Sequence, residues 1–246
     1  MTPEQTYRLA AFGVDDVRAC TEAIRTVGGG AETLRETAQA IAEFLYGALV
    51  DDDGRPACAL VRLYKTHPFG RLEPDLQDFA RGFLDDEPHE DLRCLTLLGT
   101  AGDRPEWNDA ALSQGHRAIP LPSEEVVHRL PMVAQLITQL GIDVGHVVSP
   151  PRGADVIPLS QQTNDVFHVE HAPGSPYLPA QDDFVVPEGI RSAVGFGGIL
   201  LTGDFYAMVL FSRVAISDSV ARTLKILALP MRVRLLPFAQ ARLARR

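Results

Sequence analysis

Residues 189–238 read GIRSAVGFGGILLTGDFYAMVLFSRVAISDSVARTLKILALPMRVRLLPF. Arg191 to Leu201 and Phe205 to Ser212 are rich in Val, Ile, Leu and Phe, residues that fit a pleated, half-buried surface. Thr202-Gly203-Asp204 between them has the composition of a tight antiparallel turn, so the two runs are expected to pair as a hairpin. Ser217 and Asp218 are good N-cap types, and Val220, Leu224, Leu227 and Met231 then recur at helical spacing on one face. That face is expected to cover the hairpin.

Working outward, ACALVRLYK (57–65) alternates Cys58, Leu60 and Arg62 with Ala59, Val61 and Leu63; both sets are largely apolar, which predicts a central strand. LRCLTLLG (92–99) predicts a second, and Ala118 to Pro122 a short extended piece. Helices are predicted over Val14–Val27, stopped by Gly28-Gly29-Gly30, and over Ala31–Leu49, where Leu34, Ala38, Ile41, Leu45 and Leu49 share a face. A shorter one is predicted within Leu72–Leu84, around Leu76, Phe79, Ala80 and Phe83. Ser123 begins a turn of helix that Pro131 ends and restarts as Met132–Leu140, with Gly141 as stop. Val144–Val148 is expected to be a short strand at the head of a Pro- and Gly-rich region running to Pro158. The whole is an α+β pattern, divided into an N-terminal helical segment (1–50) and a sheet-bearing domain (51–246).

This order of strand, short turn, strand and amphipathic helix resembles the C-terminal half of GAF-like sensory domains. The segments RAIPLPS (117–123), MVAQLITQLG (132–141), FHVEHAPGSPYLPAQDDF (167–184) and ACALVRLYKTHPF (57–69) resemble a bacterial sensor module found upstream of signalling output domains. The resemblance implies a central antiparallel sheet, terminal helices on one face and a loop-covered small-molecule pocket on the other. It also implies a homodimer and an output domain or partner protein outside this chain, with the final helix and residues 31–49 as a possible dimer seam.

Composition sets bounds. A formal charge of −9 opposes nonspecific nucleic-acid binding, which needs a basic face; the basic cluster Arg232, Arg234, Arg242, Arg245 and Arg246 reads as a solvated helix end. Cys20, Cys58 and Cys94 are odd in number and widely spaced, so neither a disulfide framework nor a CxxC metal site is written, and a reducing cytoplasm is expected. The N-terminus lacks the pattern of a signal peptide, and no apolar run is long enough to span a membrane.

The stretch expected to carry a site is Asn164 to Phe184, a Pro-interrupted loop holding His168, Glu170, His171, Tyr177 and Gln181. An extended chain points His168 and Glu170 to one face. HVEH is not the helical HExxH of zinc proteases, so a metal would need a distant ligand such as His67 or Cys94; a hydrogen-bonded structural histidine is the expectation, and no metal site is assigned. Tyr177 offers a ring with one polar handle, which suits an apolar pocket with few polar groups. Gly195-Phe196-Gly197-Gly198 lies inside a strand and opens no helix, so it is not a nucleotide loop; its glycines mark a close approach of backbone, ligand or bulge. The ligand-binding residues expected from the sequence are therefore Cys94, His168, Glu170, Tyr177, Gln181 and Phe196, with the ligand and any cofactor unknown. Ser160, Ser175 and Ser192 lack a GxSxG context, so catalysis is not expected. Two alternatives stand beside the sensor: a cysteine-dependent redox protein using Cys58 and Cys94, and an interaction scaffold whose pocket is filled by its own side chains.

Overall fold

The computed structural model describes residues 5–113, 115–150 and 165–238. Ser160, Arg242, Arg245 and Arg246, and the Pro- and Gly-rich region beyond Pro150, lie outside the described residues.

Strand β3 (Cys58–Pro68) runs through the middle of a six-stranded sheet because its two faces are both apolar. The other strands are β4 (Arg93–Gly102), β5 (Ala118–Pro120), β6 (Phe167–Val169), β7 (Ser192–Ile199) and β8 (Phe205–Ser212), in the order β5-β4-β3-β8-β7-β6, every neighbour antiparallel. A separate parallel pair joins β1 (Tyr7–Arg8) to β2 (Leu49–Val50). The expected hairpin is β7 and β8, with Gly203 at φ +81° in its turn and Leu200 N–H donating to Asp204 O at 2.8 Å.

Helices α1 (Val14–Thr26), α2 (Leu34–Ala48), α7 (Asp218–Leu224) and α8 (Ala228–Leu235) cover one face of this sheet, and α3 (Pro74–Arg81) lies beside it. The start of α7 is the one read from the sequence, and that of α2 is seen in the structure. Ser217 Oγ accepts from Val220 N–H to cap α7, and Thr33 and Glu36 form a reciprocal capping box on α2. Val220, Leu224, Leu227 and Met231 all enter the core with Val61, Leu63, Phe196, Met208 and Leu210 of the sheet. Small helices α4 (Glu124–His128), α5 (Pro131–Gln139) and α6 (Val144–Val148) cover the other face, over Leu60, Leu95, Val209 and Phe211.

Two local expectations are corrected. Val144–Val148 is a helical turn, not a strand: Asp143 accepts from His146 N–H as an N-cap, and Val144 and Val147, three apart, are the buried pair. Cys58 does not share a face with Leu60 and Arg62. A register shift between Cys58 and Leu60 changes the alternation, so Cys58 joins the helix-side core while Leu60 enters the other. The close backbone approach expected at the glycines of 195–198 is present: a Cβ on Gly197 would lie 2.0 Å from Tyr206 O, and one on Gly195 would lie 2.5 Å from Leu136 Cδ1.

His67, at the end of β3, is enclosed, and burial, then the Lys65 charge, holds it well below the ordinary histidine value. It is therefore neutral when folded, with Arg35 and Arg93 also opposing its protonation. As pH falls below about 6.5 the unfolded chain takes up this proton and the folded one does not, so stability falls by up to about 1.4 kcal/mol per pH unit for the one site. Urea denaturation between pH 7.5 and 5.5 is expected to show the fall, reduced in His67→Phe. An identical pH dependence in wild type and variant would rule it out.

Candidate functional site

The sheet face opposite the long helices holds a half-open cavity of about 310 Å³. Leu60, Arg62 and Tyr64 of β3, Leu95 of β4, and Val209 and Phe211 of β8 form its floor. Leu130 to Val133 and Leu136, at the start of α5, form one wall; Pro131 at the first helical position aims this helix across the sheet. The roof is the loop that follows β6, which contributes Leu178, Pro179, Ala180, Phe184 and Val185.

That roof is built by its own sequence. Gln181 Oε1 accepts from Gly174 N–H at 2.8 Å, while its Nε2 donates to Leu178 O at 2.7 Å and Ala172 O at 3.1 Å. One amide side chain thereby fixes three turns, and Gly174 supplies the positive φ of +74° that the first requires. Residues 181–185 continue as a π-helical turn that lowers Phe184 into an aromatic wall: Trp107 and Phe184 meet edge to face at 5.7 Å, and Phe184 and Phe211 at 5.0 Å. At the rim, Glu188 of the roof pairs with Arg104 and Arg213, and Arg213 pairs with Asp103. Asp103 also accepts from Tyr46 Oη of α2, so a chain of polar contacts runs from the roof to a helix of the opposite layer.

The polar groups facing this space are few, as small-molecule sites require. Arg62 Nη1 donates to Tyr64 Oη at 3.3 Å and Nη2 to Ser113 Oγ at 3.2 Å; its Nε is enclosed with no partner. His116 sits at φ 61°, which makes it the single non-glycine residue with positive φ among the described residues, and burial, then Arg62, pushes its pKa down. No Asp or Glu lines the cavity among the described residues.

None of the six residues singled out from the sequence lines this cavity. Cys94 and Phe196 point into the helix-side core. His168, paired with Val194 across β6 and β7, is a structural pin: its Nε2 lies 2.9 Å from Ile216 O, which can only accept, so Nε2 carries the proton. Glu170 is exposed, Tyr177 is 39% exposed outside the roof, and Gln181 is the fastener described above. The loop that carries three of them, Glu170, Tyr177 and Gln181, does cover the pocket, but through its apolar residues. Arg62 and Tyr64 had a signal in the sequence: two polar side chains two residues apart in an otherwise apolar central strand must share one face and need a reason to be there. Trp107 ends a short 3-10 turn (Pro105–Trp107), His116 lies in irregular chain, and neither had one.

The alternatives can be placed as well. Cys58 and Cys94 are enclosed and unpaired, with burial pushing both thiols up to about 12. Because Cys94 lies opposite His67, nine residues along β3 from Cys58, the two thiols sit about 30 Å apart along the strand. Among the described residues no group of three or more His, Cys, Asp or Glu side chains could hold a metal ion, and no helix is long and apolar enough to cross a membrane. A second, more open groove of about 780 Å³ lies between α2 and α3, where Arg35 pairs with Glu73 and Arg117 with Asp75.

No family model matches the chain, and no curated protein matches it in sequence. Among solved structures it is similar to the free methionine-R-sulfoxide reductase from Neisseria meningitidis in complex with its substrate, at 13% identity over 98% of this chain and 99% of that one, with a TM-score of 0.49. It is similar too to the GAF domain of an Acinetobacter phosphoenolpyruvate-protein phosphotransferase (12%, 93% and 95%, 0.44) and to the phycoerythrobilin-bound GAF domain of a cyanobacterial phytochrome (11%, 93% and 98%, 0.46). Likenesses this distant carry nothing about ligand or chemistry. The described residues form an α+β architecture: an antiparallel six-stranded sheet, terminal helices on one face, and a roofed cavity on the other.

Proposed function

We propose that this chain is a sensory or regulatory module that binds a small, mainly apolar molecule in the cavity between the sheet and the 172–190 loop. The observation that carries the reading is the cavity itself: half-open, walled by aliphatic and aromatic side chains, and equipped with a few convergent polar groups. Residues 1–50 act as the segment that moves relative to 51–246. The Glu188–Arg213–Asp103–Tyr46 contacts supply the route from roof to helix, and a ligand shifts the helices only as far as it prefers one arrangement over the other.

Partners follow the same reading. Ile226, Leu229, Val233 and Leu236 leave an exposed apolar stripe on the final helical segment at spacings of three, four and three, the seam a second copy would cover in a homodimer; light scattering of the purified chain decides it. The signal would pass to an output domain or partner protein outside this chain. Three unpaired, buried thiols suit a cytoplasmic setting. Binding is favoured over cysteine chemistry because the thiols face away from the cavity and are held protonated.

Val133 is half-buried at the cavity wall, so Val133→Phe is expected to fill part of the space while leaving the fold standing. Native mass spectrometry of the purified wild type should show a non-covalent extra mass that falls several-fold in the variant at an unchanged melting temperature. A bare polypeptide mass in the wild type would overturn a tightly held ligand and favour the interaction scaffold.

A further inference from the structure

Among the described residues Arg62 is the one charged side chain lining the cavity, and it stands in the middle of a central strand, opposite Thr100 on β4 and Val209 on β8. A guanidinium keeps its charge at any physiological pH, so the cavity carries a positive charge that its own walls do not neutralise. Neither oxygen that Arg62 reaches is anionic: one is the Tyr64 hydroxyl at 3.3 Å and the other the Ser113 hydroxyl at 3.2 Å. Among the described residues it has no ion pair, and its Nε is enclosed without an acceptor. A half-buried charge without a counter-charge loses part of its hydration, and an anion arriving from outside would replace it.

The neighbouring groups have a common sense of direction. Ser113 spends its proton on Gly115 O at 2.8 Å. Tyr64 Oη accepts from Arg62, which leaves its own proton without an acceptor among the described residues. His116, an exposed residue of the cavity lining, has one N–H to give in its neutral form. The polar end of the cavity therefore offers donors from Arg62, Tyr64 and His116. The rest is apolar, closed by Leu136, Phe184 and Phe211.

We infer that the ligand is a monocarboxylate with a compact apolar body, its carboxylate held by Arg62 and Tyr64 and its body against the Trp107–Phe184–Phe211 wall. A planar carboxylate is the anion that a guanidinium can pair with two parallel bonds, and a single positive charge calls for a single negative one. A cavity of about 310 Å³ is at the small end of the range for small-molecule sites, which suits one ring or a short branched chain. The inference rests on the binding reading of the cavity proposed above and adds the chemistry of its head group.

Trp107 is the sole tryptophan of the chain and lines the cavity, so its fluorescence reports occupancy directly. The full chain is titrated at neutral pH with phenylbutyrate, phenylbutanol and phenylbutylamine, three probes with one apolar body and an anionic, neutral or cationic head. Saturable binding is expected for the carboxylate at about tenfold or more over the alcohol, from its charge-assisted bonds, and weakest for the amine. Arg62→Met should erase the preference for the carboxylate while the alcohol still binds, and Arg62→Lys should keep part of it. Should Arg62→Met fail to fold, Tyr64→Phe carries the test through a smaller, several-fold loss confined to the carboxylate. Equal binding of alcohol and carboxylate, or tightest binding of the amine, would overturn the anionic head group and leave the binding cavity in place. No saturable change with any probe would overturn the binding reading together with the inference.

Discussion

Asp204→Ala is expected to remove about 3–5 kcal/mol of folding stability, because it leaves two cations enclosed without their shared counter-charge. Lys65 Nζ lies 2.7 Å from Asp204 Oδ2, and Arg93 Nη1 lies 2.7 Å from Oδ1. Thr202 Oγ1 adds a third bond to Oδ2 at 2.8 Å. The side chain of Lys65 is 1% exposed and that of Asp204 8%, so water cannot take the carboxylate's place. Burial pushes the Lys65 pKa down and the Asp204 charge opposes that shift; without Asp204 only the downward push remains. Urea denaturation of wild type, Asp204→Ala and Thr202→Val separates the contributions, with about 1 kcal/mol expected for the hydroxyl alone. A loss below 1 kcal/mol in Asp204→Ala would show that the two cations find water or another partner.

Gly99→Val is expected to cost about 3 kcal/mol or more, enough to leave little folded protein in a marginal domain. A Cβ at this position would lie 2.4 Å from Ala38 O, 2.5 Å from Ala38 C and 2.7 Å from Gln39 N, all backbone atoms of α2. Backbone cannot swing aside as a side-chain tip can, so α2 would have to lift from β4. Lifting it also breaks the pair of bonds that Gln39 makes to the sheet, Nε2 to Thr100 O at 2.9 Å and Oε1 from Thr100 N–H at 3.0 Å. Gly30→Ala is the control: a Cβ there meets nothing within 4 Å, and a change within about 0.5 kcal/mol is expected. Thermal melts of the two variants check both statements, and a Gly99→Val protein melting with the wild type would mean that α2 does not rest on β4 at this point.

Much of this architecture was legible residue by residue. The β7–β8 hairpin, the cap at Ser217 and the restart at Pro131 are all local devices whose effect is felt within four residues. The central place of β3 was legible too, because two apolar faces require cover on both sides. The error at Val144–Val148 came from reading a β-branched run without weighing Asp143 before it. The site was legible only as a region. The loop from Ala172 to Ile190 does roof the cavity, yet its conspicuous polar residues hold the loop together or face solvent, and its apolar ones face the cavity. Polar side chains in a loop have two possible tasks, fastening and binding, and chain order does not distinguish them.

By itself the sequence determined what short-range physics can decide: which runs are strands or helices, where they begin, which strand must be central, and that an α+β, GAF-like layering was to be expected. Only the tertiary structure decided which groups separated in sequence meet. Asp204, read as a turn residue, closes an ion network with Lys65 and Arg93, 139 and 111 residues away. Arg62, Tyr64, Trp107, His116 and Phe184 come from one strand and three irregular segments and share one cavity. Register made both possible. A one-residue shift beside Cys58 settles which face each side chain of β3 joins, and that shift is set by pairing with β8 some 150 residues later, not by anything written beside it.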